Sequence, residues 1–319
     1  MPQEAELLYS LKGKKIWVTG HGGMVGKALL RRLANEDCEV LTATRGEVDL
    51  RRQADVEAWM EKNRPHAVIL AAATVGGILA NDSRPAEFIY DNLAIEANVI
   101  QAAWKTDVEK LLFLGSACIY PKMAPQPMAE DSLLTGPLEE TNQWYAIAKI
   151  AGIKLCQAYR KQYGCDFISA QPINLYGPAD NFDLASSHVV PALLRKAHEA
   201  KKNGEPTLPV WGSGKAMREF LYVDDLADAL VFLLQRYSDP LQVNIGTGEE
   251  LSIRELAETI VRAVGLKAEL DFDTGKPDGA PRKLLDSTLI AEMGWTAKTP
   301  LAEGLARTYE WFLEHHKSG

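Results

Sequence analysis

The chain has 319 residues and a formal net charge of −8, with 43 acidic residues against 35 basic ones. This acidic surplus argues against a nucleic-acid-binding protein, which usually carries a basic surplus or a concentrated basic face. The four cysteines form no CxxC pair and no metal-ligand spacing, so we expect no disulfide framework, no metal site and a cytoplasmic location. No basic start followed by an apolar run marks a signal peptide, and no apolar run reaches the roughly 20 residues of a membrane span.

Short apolar runs alternate with segments of helical periodicity through the first half of the chain. The predicted strands of this half are 15–19, 39–44, 67–72, 110–114 and 166–172. The predicted helices are 28–33, 54–63, 86–105 and 147–163. Because the strands are apolar throughout and alternate with helices, the pattern predicts an α/β fold, a Rossmann-type doubly wound parallel sheet covered on both faces.

The composition changes after Pro172, where turn residues become frequent. The elements predicted here are helices at 188–200, 224–235 and 252–264, a short strand at 208–211, and a strand followed by a turn at 243–248. Ser252 is the expected N-cap of the last helix. We expect a smaller α+β domain interleaved with the first, so that residues 1–176 and about 218–250 form one domain, and residues about 177–217 and 251–319 form the other.

A glycine loop follows the first predicted strand. Residues 19–26 read TGHGGMVG, with glycines in G-x-x-G-x-x-G spacing between a strand and a helix. Glycines let the backbone approach a pyrophosphate closely, and the helix N-terminus supplies free N–H groups and partial positive charge. A plain strand–helix turn is the alternative, but the strand–helix alternation that follows favours a dinucleotide site. The loop residues expected to contact the cofactor are Gly20, His21, Gly22, Gly23, Met24, Val25 and Gly26.

The end of the second strand bears on the choice between NAD and NADP. An NAD site usually places an acidic residue there, on the ribose 2′-hydroxyl. Here Ala43-Thr44-Arg45 offers no carboxylate, and Arg45 can pair with a 2′-phosphate, which favours NADP(H). A solvated surface arginine is the alternative. Asp49 and Leu50 follow and are expected to flank the adenine.

A tyrosine and a lysine form Y-A-I-A-K at residues 145–149. The i,i+4 spacing places Tyr145 and Lys149 on one helix face. A nearby ammonium favours tyrosinate, so Lys149 is expected to lower the pKa of Tyr145 into a range useful for proton transfer. Ser116 follows the predicted strand 110–114, at the sheet edge where ligands bind in open α/β folds.

These three motifs, in this order, resemble the extended short-chain dehydrogenase/reductase family. The resemblance implies that Tyr145 is the acid/base, that Lys149 holds the cofactor ribose and shifts the tyrosine pKa, and that Ser116 holds the reacting oxygen. The further cofactor contacts that it implies are Ala71, Ala72, Leu114, Gly115, Pro172, Asn174, Leu175 and His188.

Further blocks resemble the branch of this family that turns GDP-4-keto-6-deoxy-D-mannose into GDP-L-fucose, by 3,5-epimerisation and then NADPH-dependent 4-keto reduction. The blocks are LAAATVGGILAN (70–81), FLGSACIYP (113–121), YAIAKIAGIKLC (145–156), NLYGPADNF (174–182), SHVVPALL (187–194), VWGSGKAMREFLYVDD (210–225) and KPDGAPRKLLD (276–286). They span nearly the whole chain, and the branch implies a homodimer that pairs the helices near 86–105 and 147–163.

In such a reaction the C4 ketone acidifies the protons on C3 and C5, so that one group must remove a proton and another must return it on the opposite face. By resemblance Cys118 is the base and His188 the acid, although a strand-adjacent cysteine is more often inert core and a lone histidine more often structural. The substrate contacts implied by the resemblance are Ser116, Cys118, Asn174, Lys196, Trp211, Arg218, Asp278 and Lys283.

Two positions depart from the branch pattern. Gly22 stands where a basic residue is frequent, which leaves Arg45 with more of the NADP preference, and Ala117 replaces a second serine. Related 4,6-dehydratases carry a glutamate at the position of Cys118, so dehydration is disfavoured. Two alternatives remain: an epimerase/reductase of another 4-keto-6-deoxy nucleotide sugar, and a non-catalytic dinucleotide sensor.

Overall fold

The computed structural model of the chain describes residues 5–276 and 278–316. The strands are β1 (Lys14–Thr19), β2 (Cys38–Leu41), β3 (Ala67–Leu70), β4 (Lys110–Leu114), β5 (Asp166–Pro172), β6 (Asn174–Tyr176), β7 (Thr207–Trp211), β8 (Met217–Arg218), β9 (Phe220–Tyr222), β10 (Val243–Ile245), β11 (Leu251–Ser252), β12 (Glu269–Asp273) and β13 (Arg282–Lys283). The helices are α1 (Met24–Leu33), α2 (Gln53–Asn63), α3 (Ile78–Ser83), α4 (Pro85–Lys105), α5 (Gln143–Tyr163), α6 (Val189–Asn203), α7 (Val223–Arg236), α8 (Ile253–Val264), α9 (Thr288–Glu292) and α10 (Leu301–His315).

The main sheet has six strands in the order β2-β1-β3-β4-β5-β10, and every neighbouring pair is parallel. The chain leaves β1 toward one edge and returns to β3 on the other side, so the winding direction reverses between β1 and β3. This strand order confirms the predicted Rossmann-type doubly wound sheet. Ligands in such sheets bind at the carboxyl ends of the strands beside this reversal.

Strand and helix composition explains why the sheet is covered on both faces. All residues of β3 and β4 are buried, which a strand reaches only when helices pack against it from both sides. Helices α1 and α7 pack together, and α2, α4 and α5 form the second group, as opposite crossover directions require. The predicted bounds of β4 and β5 are confirmed, and Ser252 caps α8 in a capping box with Glu255.

The buried apolar residues form two clusters. The larger surrounds the main sheet, and the smaller joins α6, α8 and α10, through residues such as Leu193, Ile260 and Phe312. The smaller cluster gathers the elements of the second half of the chain around their own apolar centre. The predicted domain boundaries themselves stay a prediction.

Several element bounds differ from those predicted. Helix α5 begins at Gln143 rather than at residue 147, so Tyr145 lies in its first turn. Helix α1 begins at Met24, directly after Gly23, because the glycine loop ends in the helix instead of preceding it. Helix α10 and strand β12, which pairs in parallel with β7, were not predicted. No helix within the described ranges is both long enough and apolar enough to cross a membrane.

Candidate active site

The glycine loop lies at the reversal point of the sheet, between the carboxyl ends of β1 and β3. Gly20 has a φ of +71°, and a Cβ added there would lie 2.8 Å from the Cα of Ala72. A Cβ on Gly26 would collide with the carbonyl oxygen of Gly20. Both glycines are therefore required by space, and the loop keeps its backbone open toward the crevice where a pyrophosphate would lie.

The N-terminus of α1 completes this cradle. Gly23 is its N-cap, no side chain among the described residues caps it, and its first turn carries no acidic residue. The free N–H groups and the positive end of the helix dipole are therefore available to an anion. The side chain of Thr19 accepts a hydrogen bond from the Ala72 N–H at 3.2 Å, which ties the ends of β1 and β3 together. This arrangement fits the dinucleotide predicted from the sequence.

The charges near the end of β2 fit a 2′-phosphate better than a free 2′-hydroxyl. Asp49 accepts two hydrogen bonds from the Arg51 guanidinium, at 3.0 and 2.8 Å, and this pairing lowers the pKa of Asp49 to about 2. Glu47 accepts from the backbone and hydroxyl of Thr44. Both carboxylates are thus engaged, whereas Arg45 is exposed and forms no ion pair with any residue that the structure describes.

For Arg45→Ala we expect the KM for NADPH to rise about tenfold, because a charge-assisted contact to the 2′-phosphate is lost. The KM for NADH should stay near its starting value, since NADH carries no phosphate there. Steady-state kinetics with both cofactors measures the two constants, with Lys62→Ala, an exposed cation in the last turn of α2, as the control. Equal effects on NADPH and NADH would contradict the role of Arg45.

Ser116 lies where β4 ends, and Gln171 of β5 fixes its backbone. The Gln171 Oε1 accepts from the Ser116 N–H at 2.8 Å, in space that a Cβ on Gly115 would fill. Ser116 caps the short 3₁₀ turn 117–119, and its hydroxyl accepts from the Cys118 N–H at 3.4 Å. The serine and cysteine side chains are therefore brought together at the carboxyl edge of the sheet.

Tyr145 and Lys149 project from the first two turns of α5 toward the same edge. The Lys149 Nζ lies 5.7 Å from the centroid of the Tyr145 ring and 4.7 Å from that of Phe113. It also lies 3.0 Å from the Oε1 of Glu96 on α4, with both side chains 2% exposed. The edge of the Phe88 ring packs on Tyr145 with centroids 6.5 Å apart. The predicted common face is confirmed, together with a carboxylate that the sequence did not single out.

The direction of the Tyr145 pKa differs from the one predicted. Burial raises this pKa well above its ordinary value, and the negative charges of Cys118 and Glu96 add to the rise. The prediction of a pKa below the ordinary value was wrong, because it took no account of burial or of the Glu96 carboxylate that pairs with the Lys149 ammonium. A raised pKa keeps the phenol protonated near neutrality, as a proton donor requires.

Cys118, Lys283 and His188 extend the cluster. Burial raises the pKa of the Cys118 thiol, and Lys283 is the strongest of the charges that oppose this rise. The expected downward tuning of the thiol is therefore wrong, because desolvation outweighs the lysine charge. The ring of His188, which is the N-cap of α6, remains accessible from the cleft. Desolvation by the surrounding protein atoms lowers the pKa of His188, and the positive charge of Lys283 lowers it further.

Close packing of two loops fixes the position of His188. The Gly77 N–H donates to the Ser186 carbonyl at 2.9 Å, and a Cβ on Gly77 would lie 2.6 Å from the Ser187 carbonyl oxygen. The neighbouring Gly76 packs on Phe88, which contacts Tyr145. The loop after β3 thus holds the histidine near the cluster formed by Tyr145, Cys118 and Lys283.

Basic residues surround an exposed tryptophan on the other side of the cleft. Trp211, at the end of β7, is 45% exposed and has the ammonium groups of Lys196 and Lys276 at 5.0 and 5.3 Å from its ring. Arg218 pairs in register with Lys283 across β8 and β13. A flat ring beside several cations suits a nucleoside diphosphate.

Asp278 helps to position the basic residues, and its carboxylate is engaged by Ser213. It accepts two hydrogen bonds from Ser213, at 2.7 and 2.8 Å, and its carbonyl accepts from the Arg218 guanidinium at 3.2 Å. Burial lowers the pKa of Arg218, whereas Asp278 opposes that change. Pro277, within the predicted block 276–286, lies outside the described residues.

The remaining predicted contacts line the carboxyl ends of the strands. Leu114 and Pro172 end β4 and β5, and Leu175 lies in β6. The Asn174 amide donates to the Glu219 carbonyl at 2.9 Å. Sequence reasoning missed Glu96, Gln171 and Lys276. The signal available for Glu96 was an acidic residue on the mostly apolar face of a long helix.

Residues 16–246 match the model of the NAD dependent epimerase/dehydratase family. The chain is 63% identical to "GDP-L-fucose synthase" of Sinorhizobium fredii, over 97% of this chain and 98% of that protein. It is 52% identical to "GDP-L-fucose synthase" of Escherichia coli K12, over 95% and 97% of the two chains. Among solved structures, a GDP-L-fucose synthetase of Naegleria fowleri bound to NADP superposes with a TM-score of 0.91 at 30% identity, covering 99% of each chain.

The family match covers the main sheet and, at its carboxyl edge, Ser116, Cys118, Tyr145, Lys149 and His188. The similarity to the bacterial relatives extends over nearly the whole chain. The parallel sheet, the glycine cradle and the Ser-Tyr-Lys arrangement agree with that match. The chain belongs to the NAD dependent epimerase/dehydratase family, of extended short-chain dehydrogenase/reductase architecture.

Proposed function

We propose that the protein converts GDP-4-keto-6-deoxy-D-mannose into GDP-L-fucose with NADPH, by 3,5-epimerisation followed by 4-keto reduction. The observation that supports the proposal is that Tyr145, Cys118 and His188 are gathered at the carboxyl edge of the sheet, where Lys283 acts on the pKa of both the thiol and the imidazole. A reductase alone needs the tyrosine. The buried thiol and the imidazole supply the second acid/base pair that epimerisation requires.

In the epimerisation, Cys118 removes the proton from C3 or C5, and His188 returns one to the opposite face of the ring. The ketone lowers the barrier by delocalising the carbanion into an enolate oxygen, which Ser116 and Tyr145 hold by hydrogen bonds. Lys283 is the first of the groups that oppose the raised pKa of Cys118, so it is the charge that stabilises the thiolate once it forms.

The proton exchange at C3 and C5 should show a broad bell-shaped pH dependence. The reactive form pairs the Cys118 thiolate with the His188 imidazolium, so the two groups together carry one titratable proton. In most molecules with one such proton, the proton lies on the thiol, because the His188 pKa is lowered from 6.5 and the Cys118 pKa is raised from 9.0. The reactive form is therefore a minor one. Activity should therefore fall below the histidine pKa and again above the thiol pKa, with a plateau across neutrality. Solvent-deuterium incorporation against pH measures this profile, and a maximum narrower than one pH unit would contradict it.

In the reduction, Tyr145 donates its proton to O4 as C4 is reduced, and Ser116 keeps O4 in place. Bound NADPH supplies the hydride. Lys149 lies one turn beyond the tyrosine, with its ammonium 5.7 Å from the centroid of the phenol ring. The raised pKa of Tyr145 suits this direction, because the phenol must carry a proton at the moment of transfer.

The GDP moiety is held by the basic side of the cleft. Lys196, Arg218 and Lys283 neutralise the diphosphate, and Trp211 offers a flat face to the nucleoside. Product analysis by NMR after incubation with NADPH and GDP-4-keto-6-deoxy-D-mannose tests the function. The same assay with dTDP- and UDP-linked ketosugars tests the first alternative, and absence of NADPH oxidation with every ketosugar would leave a dinucleotide sensor.

A reductase of another GDP-linked ketosugar is the second candidate. The chain superposes on a GDP-6-OMe-4-keto-L-xylo-heptose reductase of Campylobacter jejuni with a TM-score of 0.89 at 35% identity, covering 95% of this chain and 98% of that one. Such an activity would consume NADPH without incorporating solvent deuterium at both C3 and C5. Deuterium analysis of the product therefore separates the two functions.

We also propose a homodimer that pairs α4 and α5 of the two subunits. Both helices leave large apolar side chains exposed at helical spacing, Tyr90 and Leu93 on α4 and Trp144 and Ile147 on α5. An apolar face of this kind is typical of a subunit interface. Light scattering should give twice the chain mass of 35.1 kDa, and Leu93→Asp should give a monomer.

A further inference from the structure

Glu96 is a carboxylate buried in the middle of α4, and it takes no part in the proton transfers of the proposed reaction. Both side-chain oxygens are inaccessible and receive no regular hydrogen bond from the described residues. The ion pair with the Lys149 Nζ, at 3.0 Å, is the polar contact that the structure gives the group. Burial raises the pKa of Glu96 to about 7, and Lys149 opposes this rise, so the carboxylate is ionised in the alkaline range, where the two residues form one ion-paired unit.

The surrounding elements are shaped to admit this pair. Gly152, on the buried face of α5, leaves the space, because a Cβ there would lie 2.9 Å from the Glu96 Oε2 and would collide with the Phe113 ring. Phe113 of β4 in turn presents its ring to the Lys149 ammonium at 4.7 Å. Three elements thus fix the lysine from the core side, which leaves little freedom for its ammonium.

The position of the pair relative to the phenol gives it an electrostatic consequence. The groups that face Tyr145 are Lys149 from its own helix, Glu96 and the uncharged Phe88 from α4, and Cys118 from the turn after β4. Lys283 and His188 lie beyond Cys118. The ammonium favours tyrosinate, whereas the carboxylate behind it favours the phenol.

We infer that Glu96 is a positioning residue for the keto reduction, which anchors Lys149 and offsets its charge so that Tyr145 keeps the proton it donates to O4 up to a higher pH. This inference rests on the proposed function. It assigns the control of phenol acidity to an ion pair rather than to Lys149 alone. The raised pKa of Tyr145, to which the Glu96 charge contributes, agrees with it.

The test is the pH profile of kcat for 4-keto reduction by Glu96→Gln, assayed with NADPH and GDP-4-keto-6-deoxy-D-mannose. The amide keeps the shape but removes the negative charge, so the unopposed ammonium should lower the pKa of Tyr145. The alkaline limb should move down by about one pH unit. Deuterium exchange at C3 and C5 should keep its rate within about threefold, since Cys118 and His188 carry it. Glu87→Gln, in the exposed first turn of the same helix, is the matched control and should keep the wild-type profile.

An unchanged alkaline limb in folded Glu96→Gln protein overturns the inference, as does an equal loss of reduction and exchange. If Glu96→Gln does not fold, the residual reduction by Lys149→Met is compared with that by Lys149→Met/Glu96→Gln. Neither of these variants leaves the Lys149 ammonium buried without a partner. Glu96→Gln should then change the residual reduction less than twofold, because the glutamate acts through the lysine, and a larger change overturns the inference. Wild-type protein that reduces no GDP-linked ketosugar would instead refute the proposed function.

Discussion

Tyr145→Phe should lower kcat for 4-keto reduction by about 10²- to 10⁴-fold, the range typical of a lost general acid. The ring remains, so its packing against Phe88 and the position of Lys149 should be kept. Proton exchange at C3 and C5 should fall far less, because the proposed base and acid of that step are Cys118 and His188. NADPH oxidation followed by absorbance, and deuterium incorporation followed by NMR, measure the two steps separately.

A matched control is available on the same helix. Tyr163 lies at the end of α5 with its ring stacked on Trp104, and its hydroxyl accepts a hydrogen bond from Gln162. Tyr163→Phe should leave both steps unchanged. Equal losses of reduction and exchange in Tyr145→Phe would count against the division of labour between tyrosine and thiol.

The sequence predicts the parts of the fold that depend on local patterns. Strand β4 is an apolar run between Lys110 and Gly115, and β5 is a short segment between the turn at Gly164 and Pro172. The bounds of both strands were predicted to the residue. The glycine loop was also predicted from a local pattern, because three spaced glycines between a strand and a helix are typical of a dinucleotide-binding turn. The sequence predicted a doubly wound parallel sheet but not the order of its strands, because strand pairing joins residues that are far apart in the chain.

The charge balance of the site could not be predicted in the same way. The i,i+4 spacing of Tyr145 and Lys149 predicted their common helix face. The direction in which the tyrosine pKa shifts, however, depends on burial and on Glu96, which lies 49 positions before that tyrosine. The same holds for Cys118, where the depth of the thiol outweighs the charge of Lys283. Pairs brought together by tertiary packing decide these pKa directions, and no local pattern records them.

Some helices were missed for a related reason. α10 has an amphipathic sequence, but its buried residues pack on α8 and on Tyr176 of β6, which are remote in the chain. A Cβ on Gly304 of this helix would collide with the Tyr176 hydroxyl. The glycine weakens the helical signal in the sequence while the tertiary contact requires it.

Cys118→Ser should abolish deuterium incorporation at C3 and C5, with a loss of at least about 10²-fold, because a serine hydroxyl is far too weak an acid to form the oxyanion that would replace the thiolate. The side chain is small and buried, and the substitution preserves both its size and the backbone contact to Ser116. The affinity for NADPH should therefore stay near its wild-type value, measured by fluorescence titration.

The partly exposed Cys165, at the end of the loop after α5, provides the control, and Cys165→Ser should keep both activities. In the proposed mechanism, the buried thiol is the feature that distinguishes an epimerase/reductase from a reductase. If Cys118→Ser incorporates deuterium at the wild-type rate, another group removes the proton. His188 would then be the next base to test, since Lys283 also acts on its pKa.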